Sequence, residues 1–228
     1  ILLEFLLRQC LRTGDLVPLG MVEQTLSTMA KGGIYDQIGG GFHRYSVDAC
    51  WLVPHFEKML YDNALLSRVY LHAYQATGKQ LYRRITEETL DYVLREMTDK
   101  DGGFYSSQDA DSDGVEGKFY IWTPVEMLEA LGKEEGELIT KYFGVTKDGN
   151  FEGKNILSQA FEINALATEL GIAPEDVGAR IARAKVRLRE KRAQRVLPHR
   201  DEKVLADWNG LMLASMAEAA SVLERDDY

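Results

Sequence analysis

Apolar residues recur at intervals of three and four through most of the chain, the spacing of amphipathic helices. Leu2, Leu3, Leu6, Leu7 and Cys10 share one face of a helix predicted over 2–13 and stopped by Gly14. Val22, Leu26, Met29 and Ala30 mark a second over 19–31, ended by Gly32-Gly33. A third is predicted over 55–77, closed by Thr77-Gly78, and a fourth over 79–98 with Tyr82, Ile85, Leu90, Val93, Leu94 and Met97. Asp101-Gly102-Gly103 then breaks the pattern, and an acidic loop leads to one predicted strand, Lys118–Trp122. Thr123, Pro124 and Glu126 are the N-cap, N1 and N3 residues of a helix start. Helices over 134–143, 162–170 and 175–192 follow, and a last apolar one runs from Val204 to Leu223. The pattern predicts an all-α fold with short β strands in the loops.

A weak repeat runs through this pattern. Helix, Gly32-Gly33, Ile34-Tyr35 recurs 70 residues later as helix, Gly102-Gly103, Phe104-Tyr105. Units of this length are two helices plus loops, and such hairpins stack into solenoids or close into α/α toroids. The loops 32–54 and 102–121 follow corresponding helices and are expected at the same end of the molecule.

Composition adds limits. A net charge of −9 over 228 residues argues against generic nucleic-acid binding. No apolar run is long enough to cross a membrane, and Ile1–Arg8 carries charge inside its apolar stretch, unlike a signal peptide. Cys10 and Cys50 form no C-x-x-C pair, which fits free thiols in a reducing, cytoplasmic setting. The chain begins and ends in helical pattern and reads as a single domain, 1–228, cut from something longer.

Five segments could carry chemistry. Gly32–Tyr45 holds five glycines within Gly32–Gly41, with Asp36, His43, Arg44 and Tyr45 among and after them. It reads either as an irregular turn with local caps and pairs, or as the wall of a polar pocket. It is not a phosphate-binding loop, because Gly-Lys-Ser/Thr is missing. In Trp51–Asp62, a helix would put His55, Lys58 and Asp62 on one stripe and Glu57 and Tyr61 on another. Such polarity is either an internal network or a pocket floor, and its density favours the floor. Asp109, Asp111, Asp113 and Gly114 match the opening of a calcium loop, but Tyr120 stands where the bidentate Glu belongs, so no metal is assigned. Those carboxylates could instead do acid–base work, with Asp36 and Asp109 as the pair to test, or line a solvated loop. The run Arg180–Arg200 has nine basic residues and one acid, a motif that by itself reads as a solvated helix face. Last, Asp207-Trp208-Asn209 sets an acid, an indole and an amide at a helix start, a combination suited to sugar rings or to locking a helix end.

Three of these stretches resemble a known family: GGIYDQIGGGFHRYSVDACWLVPHFEKMLYDNALL (32–66), SSQDADSDGVEGKFYIWT (106–123) and REKRAQRVLPHRDEKVLADWNGLMLASMA (189–217). They are similar to the spermatogenesis-associated protein 20 or YyaL-like family. The resemblance implies a partial (α/α)6 toroid of the six-hairpin glycosidase type, preceded in full-length members by a thioredoxin-like domain absent from this chain. Asp113 stands where the family usually has Glu, which makes the calcium pattern incidental.

Two functions follow as expectations. In the first, the domain is carbohydrate-active, a glycoside hydrolase or an epimerase. Asp36 and Asp109 would then be acid and base, or His43 and His55 the proton shuttles. Arg44, Tyr45, Trp51, Lys58, Tyr61, Asp62, Asp111, Tyr120, Asp207, Trp208 and Asn209 would bind a sugar-like ligand, with no cofactor. In the second, the domain is a non-catalytic helical module attached to the thioredoxin-like domain. Apolar faces left for missing hairpins would be exposed or covered by a second copy.

Overall fold

The structure, a computed structural model, describes residues 1–228 and is mostly helical. Helices α1 (Leu2–Thr13) and α2 (Val17–Lys31) form one hairpin, and α3 (Leu60–Thr77) and α4 (Gln80–Glu96) a second. Helices α5 (Pro124–Leu131) and α6 (Lys133–Tyr142) form a third, and α7 (Ile163–Leu170) and α8 (Pro174–Arg192) a fourth. Helix α9 (Ala206–Leu223) returns to pack on α3. Thr123 caps α5 with a full capping box, its side chain accepting from the Glu126 N–H while Glu126 accepts from the Thr123 N–H.

The strands have two residues each and serve to tie loops together. β1 (Tyr45–Ser46) pairs with β2 (Pro54–His55), and β5 (Asp111–Ser112) with β6 (Val115–Glu116). The informative sheet has the order β3 (Lys58–Met59), β4 (Ser107–Gln108), β7 (Arg200–Asp201), all antiparallel. It joins the loops after α2, α4 and α8 at one end of the molecule, as the repeat led us to expect for the first two.

Three expectations need correction. The third helix starts at Leu60, because Pro54–His55 and Lys58–Met59 are extended. His55, Lys58 and Asp62 therefore share no helical stripe. Residues 118–122 form a turn and an isolated Trp122–Asn155 bridge in place of a strand, since Gly117 at φ 71° folds Tyr120 and Ile121 back onto its carbonyl.

The repeat has a different register. Gly40 and Gly41 have φ of 77° and 79°, and Gly102 and Gly103 have 94° and 89°, whereas Gly32 and Gly33 are not left-handed. The matching units are thus Gly40-Gly41-Phe42 and Gly102-Gly103-Phe104. One asparagine reads each. Asn63 of α3 accepts from the Phe42 N–H and donates to its carbonyl, and Asn209 of α9 does the same to Phe104. Each also donates to the carbonyl four residues before it, Met59 and Leu205. Asn209 is thus a structural clamp in this fold.

The core is divided among the hairpins. Val22, Leu26, Phe42, Tyr70, Tyr82 and Ile85 fill one part, and Leu60, Leu71, Leu90, Val93, Met212 and Met216 another. Trp122, Met127, Ile139, Val177 and Leu188 fill a third. Apolar side chains stay exposed along α1 and the start of α2 (Ile1, Leu2, Phe5, Leu11, Leu16, Val17) and on α9 (Leu213). No helix is long and apolar enough to cross a membrane.

Candidate functional site

Asp36 is buried at the point where these loops meet. Its own loop is wrapped around it: the N–H groups of Ile38 and Gly39 donate to Oδ1, and Gly40 N–H donates to its carbonyl. Arg192 donates Nη1 to Oδ1 at 2.8 Å and Nη2 to Oδ2 at 2.9 Å, a two-pronged pair. Lys58 Nζ donates to Oδ2 at 2.9 Å and to the Gly40 carbonyl at 2.9 Å. Arg95 Nη2 donates to the Gly39 carbonyl at 2.7 Å. Glycine is required at 39, since a Cβ there would lie 2.2 Å from Arg192 Nη2 and 2.7 Å from Asp36 Oδ2.

Asp36, Lys58 and Arg192 are one anion and two cations, all buried. Burial alone would raise the Asp36 carboxyl. The charges of Arg192 and Lys58 overcome this and hold it well below the usual carboxylate range. One carboxylate cannot compensate both cations fully. Burial, with the Arg192 charge adding to it, brings Lys58 down to about 8 despite Asp36. The cations also lie over aromatic rings: Lys58 Nζ is 4.2 Å from the Tyr92 centroid and 5.1 Å from that of Tyr120, and Arg192 is 5.0 Å from Phe119.

A cavity of about 160 Å³ opens beside this cage. Asp36, Lys58, Tyr92, Gln108, Tyr120 and Arg192 line its inner wall, and Arg95, Glu96, Arg189 and Leu197 stand around them. Gln108 Oε1 accepts from the hydroxyls of both Tyr92 and Tyr120, at 3.2 and 3.1 Å. Gln108 faces inward from β4, so by strand alternation its neighbour Asp109 faces out.

Of the expected site residues, the structure gathers Asp36, Lys58 and Tyr120 at this cavity, with His43 behind them. His43 is buried, shares its Nδ1 proton with the Phe56 carbonyl at 2.8 Å, and meets the Tyr120 ring edge-on at 4.6 Å. Burial and then the Lys58 charge push it down to about 3, so it is neutral. His55 lies elsewhere: its Nδ1 meets Glu116 Oε1 at 2.7 Å and its ring stacks on Tyr45. The two histidines face no common cavity, because His55 sits on an edge strand pointing away from the core.

Asp109 is likewise apart from Asp36. Its carboxylate is exposed, with Oδ1 3.3 Å from the Asp111 N–H, and it does not line the cavity. Asp111 is exposed on β5, and Asp207 is exposed at the start of α9. Trp51 is structural: its carbonyl accepts from the Ile34 N–H and its side chain packs on the α1–α4 core.

The remaining expected residues form a separate patch. Arg44 Nη1 pairs with Glu57 at 2.8 Å, Glu57 lies 3.7 Å from His55, and Tyr61 meets Trp208 at 4.8 Å between centroids. Asp62 sits beneath Arg44 and Glu57, where burial raises its carboxyl to about 6 against the pull of Arg44. No group of three or more His, Cys, Asp or Glu side chains is arranged to hold a metal ion.

Sequence reasoning missed Arg192, Tyr92, Arg95 and Gln108. For Arg192 a signal existed. Val177, Ile181, Ala184 and Leu188 are the buried stripe of α8, and Arg192 continues it at the same spacing. An arginine in register with an apolar stripe must reach a buried anion. The other basic residues of that run are partly structural too: Arg195 donates to Glu126 and to the carbonyls of Phe119 and Ile121, Lys185 pairs with Glu88, and Arg180 with Glu135.

These features define a class: helix hairpins whose loops gather around a buried ion-pair cage and a small polar cavity. No protein-family model matches the chain. It is 38% identical over 231 residues to human spermatogenesis-associated protein 20 and 40% identical over 228 residues to the rat protein of that name. These alignments cover 90% and 89% of this chain and 29% of each relative. An uncharacterised Caenorhabditis elegans protein is 34% identical over 233 residues, covering 91% of this chain and 32% of its own length. The chain is thus a homologue of spermatogenesis-associated protein 20 and spans about three-tenths of it. Among solved structures, a family 76 glycoside hydrolase (mannosidase) of Bacteroides thetaiotaomicron is similar at a TM-score of 0.44 and 14% identity, over 98% of this chain and 53% of that one. A sugar epimerase from a ruminal bacterium is similar at a TM-score of 0.43 and 12% identity, over 99% and 70%.

Proposed function

We propose that this domain, as part of an α/α toroid, binds a sugar-like small molecule in the cavity beside the Asp36 cage. The observation that carries the reading is the cavity itself, where buried polar groups (Lys58, Gln108, Arg192) are set among the rings of Tyr92, Phe119 and Tyr120. A polyol offers hydroxyls to the former and C–H faces to the latter. The cage is the floor of this site, and Asp36 has no role as an acid in it. A carboxylate held ionised by two cations cannot donate a proton near neutrality. Paired-carboxylate hydrolysis and a two-histidine epimerisation both lack support, because neither pair shares a cavity.

A catalytic reading has one observation in its favour. Lys58, at about 8, borders the cavity and titrates in the range useful for proton transfer.

Leu197 is exposed and borders the cavity, so Leu197→Trp would obstruct it from the rim without removing any hydrogen bond of the cage. Calorimetric titration of the full-length protein with a panel of mono- and disaccharides is expected to find a ligand. Leu197→Trp is expected to abolish that binding at an unchanged melting temperature. A ligand bound equally well by Leu197→Trp places the site elsewhere and refutes the reading.

A further inference from the structure

The hydrogen-bonding capacity of the cavity is lopsided. Asp36 is saturated: Oδ1 accepts from Ile38 N–H, Gly39 N–H and Arg192, and Oδ2 from Lys58 and Arg192. Gln108 Oε1 is taken by two tyrosine hydroxyls. Donors are left over. Lys58 carries three protons and places two, and Arg192 has five N–H groups and places two. Gln108, buried to more than nine-tenths, has its Nε2 without any protein partner. The Arg189 side chain makes neither a hydrogen bond nor an ion pair, and it stands at the rim. The charges agree. Lys58, Arg95, Arg189 and Arg192 face Asp36 and Glu96, four positive against two negative. Asp36 is spent on Lys58 and Arg192, and Glu96 pairs with Arg95 at 2.8 Å.

We propose that the ligand of this cavity is an anionic polyol, whose carboxylate or phosphate group takes the free donors of Gln108, Lys58 and Arg189. This rests on the sugar-binding reading above and deepens it. A neutral sugar would leave the excess positive charge uncompensated in a confined site, whereas an anion removes that cost. A sugar acid and a sugar phosphate supply the same chemistry, and the test separates them.

The full-length protein is titrated with glucose, glucuronate, glucose 6-phosphate and inorganic phosphate. At least one of the two charged sugars is expected to bind about tenfold or more tightly than glucose. Which one binds identifies the anionic group. Arg189→Gln, at an exposed position with no partner to lose, is expected to weaken that binding about tenfold. Gln108→Glu keeps the oxygen that accepts from the tyrosines but replaces the free donor with a charge, and is expected to abolish binding. Glucose binding as tightly as both charged sugars overturns the anionic assignment and leaves the sugar reading standing. Inorganic phosphate binding as tightly as the tighter of the two charged sugars overturns the polyol and with it the sugar reading. Binding by none of the four overturns both.

Discussion

Arg192 reaches Asp36 across 156 residues of sequence and closes on its carboxylate with two parallel hydrogen bonds of 2.8 and 2.9 Å. This contact ties the end of α8 to the loop after α2, and Lys58 adds the strand before α3. Buried pairs of this kind are costly to break, because the remaining charge has no water to turn to.

Asp36→Asn is therefore expected to destabilise the protein by about 3–5 kcal/mol, and Arg192→Gln by a similar amount. In a double-mutant cycle the two losses should be far from additive. Urea unfolding of the two single variants and the double variant measures this, and additive losses would show that the pair is not coupled.

His43 makes stability fall in acid. Its folded value of about 3 lies below the ordinary 6.5, so between these values the unfolded chain binds the extra proton. Stability attributable to His43 is complete above the unfolded value and is lost as pH falls through this window, at up to about 1.4 kcal/mol per pH unit. The Asp36 contribution has the same sign but lies lower, fading only as pH falls below the ordinary aspartate value of 3.8. His43→Asn keeps a donor for the Phe56 carbonyl and cannot be charged. Its unfolding free energy should be flatter than wild type between about pH 4.5 and 6.5, and an unchanged slope would mean that His43 is already protonated in the fold.

Two glycines separate close approach from backbone entropy. Gly39→Ala drives a methyl group into the Arg192–Asp36 pair and is expected to cost about 1–3 kcal/mol or more. Gly20 lies within α2 with nothing within 4 Å of the Cβ position, so Gly20→Ala should stabilise by about 0.5–1 kcal/mol. Thermal melts of both variants give the signs.

The asparagine clamps should be unequal. Asn63→Ala orphans the buried Phe42 N–H and is expected to cost about 1–3 kcal/mol. Asn209→Ala at the half-buried clamp should cost less, since water can replace the lost partner of Phe104. Hydrogen exchange at the Phe42 and Phe104 amides reports each site, with accelerated exchange expected in each variant.

The helices were legible in the sequence because each buries one face, and α1, α2, α4 and α6 to α9 lie within a few residues of their periodic patterns. What periodicity could not show was the loops. The helical spacing read into His55–Lys58 continues smoothly into α3, yet Pro54 and the pairing of Lys58 with Gln108 keep that stretch extended. The repeat was visible as glycine pairs, but only left-handed backbone distinguishes Gly40-Gly41 from Gly32-Gly33. The site was half legible. Asp36 stood out in a glycine-rich segment, Lys58 in the polar cluster of Trp51–Asp62, and Tyr120 in the segment after the acidic loop. Gln108 and Tyr92 are ordinary residues brought to the cavity by a sheet register and a helix crossing, neither of which is local.

Asp36 is a permanently ionised anchor and not an acid. Its side-chain carboxyl ¹³C shift, followed by NMR from about pH 4 to 8, tests this directly. A flat profile at the ionised value is expected throughout. A titration step between about pH 5 and 8 would contradict it and return Asp36 to the role of a general acid.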